Sequence, residues 1–101
     1  MSETQAGWVA SLDAAVEKLW DELVAQQEKK LLALANELRP NTTWDDLLQP
    51  QDMPEIAQDA VFNYEDGYLA GLKAARISFR ARVLLSLRDA AARDAGDAKR
   101  P

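Results

Sequence analysis

From Trp8 to Leu38 the apolar residues fall at Trp8, Leu12, Val16, Leu19, Trp20, Leu23, Val24, Leu31, Leu34 and Leu38. Those are steps of three and four, the spacing of one helix face and not of a strand. No glycine or proline interrupts the run after Gly7, and strong helix formers fill it, so the pattern predicts one long first helix. Its stripe is divided by a polar belt, Gln26-Gln27-Glu28-Lys29-Lys30. Leu12, Val16, Leu19 and Leu23 define one seam. Trp20, Val24, Leu31, Leu34 and Leu38 define a second, rotated around the axis. Either the face drifts, as it does on a straight helix, or a kink lies at the belt. Gln27 then occupies a seam position, where a polar side chain sets register or sits at a wet crossing.

Arg39-Pro40 ends this helix, because the residue before a proline is pushed out of the α region. The connector, residues 40–62, contains Pro40, Pro50 and Pro54, so no long helix crosses it. Thr43 is placed to cap a short turn over Trp44 to Leu48, and Pro54 to open a second short helix through Gln58. Trp44, Leu47, Leu48, Met53 and Ile56 are too apolar for a loose linker and predict a segment packed on the helices. A second long helix is predicted from Asn63, as N-cap, to Arg93, with Gly96 as its stop. Its inward stripe is read as Tyr68, Leu72, Ala75, Phe79, Val83 and Leu87, flanked by Leu69, Leu84 and Ala90. Residues 1–6 and 95–101 are expected to be disordered.

The pattern gives an all-α fold, a single domain built as a long antiparallel helical hairpin with short helices in its connector. Both helices carry more apolar surface than one partner helix covers. Two hairpins are therefore expected to pair as a homodimeric four-helix bundle.

Composition narrows the function. The 101 residues include no Cys and no His. That excludes disulfides, Cys- or His-ligated metal, and nucleophile–His chemistry. Adjacent acids such as Asp21-Glu22, Asp45-Asp46 and Glu65-Asp66 point about 100° apart on a helix and are not spaced as an acid–base pair. No phosphate-cradling glycine loop is present. The expectation is a chain that is not an enzyme, with no catalytic residues, no cofactor and no metal; a small helical enzyme is the remote alternative. No segment reads as a signal peptide or a membrane span, so a cytoplasmic protein without membrane contact is expected.

The net charge is -5, which disfavours nucleic acid as a partner. Charge is unevenly placed. Residues 1–61 carry 4 basic and 12 acidic side chains, and residues 62–101 carry 8 basic and 5 acidic. The simplest reading is that the acidic part packs against the basic part, within one chain or across a dimer. The alternative is that Lys73, Arg76, Arg80, Arg82, Arg88 and Arg93 form a basic stripe for nucleic acid or another anionic ligand.

The string Asn63-Tyr64-Glu65-Asp66-Gly67-Tyr68-Leu69-Ala70-Gly71 is unusual for a helix interior, since each glycine costs about 1 kcal/mol against alanine. Gly67 and Gly71 share a face. That spacing predicts a tight crossing with Trp20 or Trp44 lying over the glycines, or else a groove for a partner peptide or small ligand. Trp8, near the start, is the tryptophan best placed to touch another chain. The preferred reading is a small acidic adaptor, chaperone-like or regulatory subunit. Its interaction residues would be Trp8, Trp44, Tyr64, Gly67, Tyr68 and Gly71, docking with an unidentified protein partner.

Overall fold

The structure, a computed structural model, describes residues 3–98, with side-chain surroundings for 7–94. Every regular element among the described residues is helical. Helix α1 spans Glu3–Leu38, followed by 3₁₀ turns at Asp46–Leu48 and Pro50–Asp52. Helix α2 is Pro54–Ala57 and α3 is Ala60–Phe79; a π-helical segment, Arg80–Leu84, leads into α4, Leu85–Ala98. The expected disorder at 1–6 and 95–101 concerns termini whose side chains lie outside the described residues. Gly96 does not stop the last helix, which continues to Ala98.

The chain divides into two compact units, one of Met1–Asp21 with Ala74–Pro101 and one of Glu22–Lys73. The second unit holds most of the core. Leu31 and Ala35 of α1, Met53 and Ile56 around α2, and Phe62 and Leu69 of α3 are all buried. Val24, Leu38, Trp44 and Leu47 pack against this cluster at its margin. Met53 and Ile56 of the connector are therefore core, with Trp44 and Leu47 at its margin as their apolar character predicted, whereas Leu48 of the same expected set is exposed.

Local chemistry explains the turns. The Asn36 side chain donates to Leu32 O and Thr42 O, both at 2.9 Å, and accepts from the Thr42 amide at 3.1 Å. It thereby ties the end of α1 to the first residues beyond Pro40. Asn41 takes φ 65, the left-handed region that asparagine tolerates better than most side chains. Thr43 and Asp46 cap each other reciprocally. The Thr43 amide donates to Asp46 Oδ2 at 2.9 Å, and the Asp46 amide to Thr43 Oγ1 at 3.3 Å.

Two expectations are corrected. Asp59, not Asn63, caps α3: its Oδ1 accepts from the Phe62 amide at 2.8 Å. Asn63 lies one turn inside, its Nδ2 donating to Ala57 O at 2.9 Å. The buried line on α3 is Phe62, Glu65 and Leu69, whereas Tyr68 and Val83 of the predicted inward stripe are exposed. Steps of four drift around a helix of 3.6 residues per turn, while 62, 65 and 69 hold one face. Glu65 disguises that face, because a carboxylate reads as solvent-facing.

The first unit is thinner. Leu84 is its one fully buried apolar residue among the described ones. Trp20 meets Phe79 at a tilted 6.1 Å between ring centroids. Arg76, Arg80, Leu84 and Arg88 repeat every four residues, and an uninterrupted α-helix would carry such a line about 120° around its axis. A π turn absorbs one extra residue and removes most of that rotation. Arg76, Arg80 and Arg88 then face acids of α1, and Leu84 between them is buried.

Candidate interaction surfaces

In the first unit an acid ladder on α1 meets an arginine ladder. Asp13, Glu17 and Asp21 are four residues apart and share a side of the helix. Arg76 Nη2 reaches Glu17 Oε2 at 2.6 Å and Asp21 Oδ1 at 2.7 Å. Arg80 grips Glu17 with Nε at 3.0 Å and Nη2 at 2.5 Å, a two-point fork. Arg88 pairs with Asp13. The Arg80 and Arg76 hydrogen bonds hold the Glu17 carboxyl down to about 2. In return Glu17, and then Asp21, raise Arg76 above its ordinary value. Arg76 Nε is buried without a partner, so its guanidinium is held by one edge only. The uneven charge of the sequence is thus satisfied, in part, inside one chain.

These pairs take three members of the basic stripe. Arg76, Arg80 and Arg88 point at α1 carboxylates, and Lys73, Arg82 and Arg93 are exposed.

In the second unit a polar knot sits on the core. Gln27, at its predicted seam position, is 8% exposed. Its Nε2 donates to Glu65 O at 2.9 Å and to Glu65 Oε2 at 2.7 Å. Lys30 Nζ adds an ion pair to Glu65 Oε1 at 2.9 Å. The Gln27 hydrogen bond first, and Lys30 second, lower the Glu65 pKa. A charged acceptor with two donors is stable on this face, and it fixes the register of α3 against α1.

The aromatic and glycine string lies on the open side of α3. Tyr64 is 71% exposed and Tyr68 53%. A methyl group built on Gly67 or Gly71 meets nothing within 4 Å. The expected crossing under Trp20 or Trp44 is therefore absent, since no described part of the chain lies over the glycines. Trp44 instead packs against the core, partly buried. Val61, also exposed, precedes Tyr64 and Tyr68 on the same side. Trp8 is 58% exposed. Of the six proposed interaction residues, the structure thus gathers Tyr64, Gly67, Tyr68 and Gly71 on one helix side. It leaves Trp8 and Trp44 on other elements. The periodicity missed Val61, although its three-residue step to Tyr64 was available.

A shallow cleft of about 290 Å³ is lined by Arg39, Asp45, Asp46, Leu48, Gln49, Asp52 and Met53. Asp46 is already held by Thr43, whose amide and hydroxyl lower its pKa. Among the described residues no three His, Cys, Asp or Glu side chains converge in a way that could hold a metal ion. No described helix is long and apolar enough to cross a membrane. No protein-family model, curated protein or solved structure matches the chain.

Proposed function

We propose that this chain is a non-catalytic interaction protein, an acidic adaptor, chaperone-like or regulatory subunit acting in the cytoplasm. Its two long helical stretches form an antiparallel hairpin that pairs with a second copy as a four-helix bundle. The observation that carries the reading is the open side of α3. Val61, Tyr64 and Tyr68 stand exposed beside two glycines that no described part of the chain covers. Exposed tyrosines beside glycines give a partner rigid aromatic anchors and close access to the helix backbone. A glycine inside a helix carries a stability cost, and no neighbour among the described residues lies against Gly67 or Gly71 to offset it.

The alternative, an anionic ligand on the basic stripe, has less support because Arg76, Arg80 and Arg88 already hold Glu17, Asp21 and Asp13. The two readings differ in salt response. An apolar docking surface retains its partner at high salt, whereas a phosphate-binding stripe releases it steeply. Capture from native lysate at low and high salt tests this, with the wild-type chain beside Tyr64→Ala/Tyr68→Ala and Lys73→Ala/Arg82→Ala/Arg93→Ala. The adaptor reading expects the same captured protein at both salt concentrations and its loss with the tyrosine variant alone. Loss at high salt and with the basic-residue variant would overturn it.

A further inference from the structure

Two lines of side chains on the last helical stretch are offset by one residue, and the π segment decides which of them runs along the ion-pair seam. Counting 100° per residue, an α-helix continued through Arg76 and Arg80 keeps Val83 and Leu87 on their line and turns Leu84 and Arg88 off it by about 60° and 100°. The structure shows the other line. Leu84 is 3% exposed and Arg88 pairs with Asp13, while Val83 is 41% exposed. The one residue absorbed by the π segment, Arg80–Leu84, makes the difference.

We propose that this segment is a register switch with two states. In the second state Arg80–Leu84 winds as α-helix, and α4 turns by about 100° around its own axis and advances by about 1.5 Å. Val83 then takes the buried place of Leu84, and Leu87 replaces Arg88 opposite Asp13. Three observations support the exchange. First, no local feature pins the π turn. It holds no glycine or proline, and Phe79 and Leu85 on either side of it have right-handed helical angles. An α-helical path is therefore open to it. Second, the alternative line is apolar where it replaces the seam. It offers valine for leucine in the buried place and brings in Leu87, which is half-buried already. Asp94 comes onto that line only about 10 Å beyond Leu87, so no second acid arrives opposite Asp13. Third, the exchange breaks one ion pair and spares the others. Arg76 precedes the turn and Arg80 opens it, so both keep Glu17 and Asp21 in either state. Arg88, 46% exposed at its side chain, is the partner given up. An exposed pair of this kind contributes little, so it biases the register without locking it. The charge of Arg88 is thus the control: an anionic group that draws Arg88 from Asp13 turns α4 and changes the side it shows. The device is separate from the Tyr64/Tyr68 side of α3 and stands or falls without it.

Thiol accessibility reads the register directly, because the chain has no cysteine of its own. Val83→Cys and Leu84→Cys are made in the full chain, each alone and with Arg88→Gln. Both are alkylated with iodoacetamide while far-UV circular dichroism follows helical content. With Arg88 in place, Leu84→Cys is expected to react at least about tenfold more slowly than Val83→Cys. With Arg88→Gln, Leu84→Cys should react faster and Val83→Cys more slowly, which an exchange of the two lines produces and melting does not. Deletion of Ala81 removes the residue that the π turn absorbs, so an α-helix there holds Leu84 on the seam line. Leu84→Cys should stay protected in that background even with Arg88→Gln. Any other pattern with Arg88→Gln overturns the proposal, whether unchanged rates or acceleration at both cysteines. Acceleration of Leu84→Cys by Arg88→Gln in the Ala81 deletion also overturns it, because the lost ion pair and not the register would then be the cause. Where Leu84→Cys does not fold, the rate at the exposed Val83→Cys decides: slowing with Arg88→Gln supports the switch and no slowing overturns it.

Discussion

Ile56 sits in a connector that contains three prolines, yet it is fully buried in the cluster of Leu31, Ala35, Met53, Phe62 and Leu69. Ile56→Ala removes three carbons from a site with no water contact. At about 0.8 kcal/mol per buried methylene the transfer loss is about 2.4 kcal/mol. The cavity left behind adds to that, giving a total of about 3–4 kcal/mol. This is a large part of the roughly 5–15 kcal/mol that stabilises a domain of such size. With a urea slope on the order of 1.5 kcal/mol/M, the unfolding midpoint falls by about 2 M. Leu48→Ala, eight residues earlier in the same connector, truncates a side chain that is 69% exposed. It should shift stability by no more than about 0.5 kcal/mol. Urea melts of both variants at matched protein concentration make the comparison. If Ile56→Ala costs less than about 1 kcal/mol and matches Leu48→Ala, the connector is peripheral and the core assignment is wrong.

Other outcomes follow from single interactions. Glu17 has its folded pKa pulled from 4.5 to about 2 by Arg80 and Arg76, so its contribution is complete above the unfolded value and is lost as pH falls towards 2. A carboxyl NMR titration should show no Glu17 inflection near 4.5, and Glu17→Gln should flatten the acid limb of the stability–pH curve. Asp59→Ala removes the cap on the Phe62 amide and should cost about 1 kcal/mol in a urea melt. Asn63→Ala, at the position the sequence pattern favoured as cap, should cost less. Gly67→Ala meets open space and should stabilise the chain by about 0.8–1 kcal/mol; a lower melting temperature would mean that something does lie over that glycine.

The elements were legible where local physics decides them. The helix-former run ending at Arg39-Pro40 gave α1 its C-terminus, and Thr43 capped its turn as its side chain suggests. What periodicity could not supply was which apolar face the monomer uses. Leu31 belongs to the second seam and is buried, whereas Leu19 and Leu23 of the first are exposed, and both seams have the same spacing. Glu65 and Gln27 were illegible for a related reason. A polar residue is assigned to solvent unless its partner is known, and here the partner lies 38 residues away. The π segment carries no glycine or proline to announce it. It keeps Arg76, Arg80 and Arg88 in line with the acids of α1, a long-range alignment that no local motif announces. For the glycines, the spacing suggested a close neighbour, and among the described residues none lies within 4 Å of a methyl group built on Gly67 or Gly71.

The two units illustrate two ways of holding helices together. In the second unit six buried apolar residues fix the arrangement, with the Gln27–Glu65–Lys30 knot choosing its register. In the first, the seam is mostly ionic. Arg80 is 51% exposed and Arg88 46% at the side chain, and exposed ion pairs contribute little stability because water screens them and long side chains must be ordered. The ladder therefore dictates which residues face each other more than it holds them there. The burial that steadies this seam is that of Leu84 and of the tilted Trp20–Phe79 pair. The arginine–carboxylate ladder sets which residues face each other, and those apolar contacts carry more of the stability than the exposed ion pairs do.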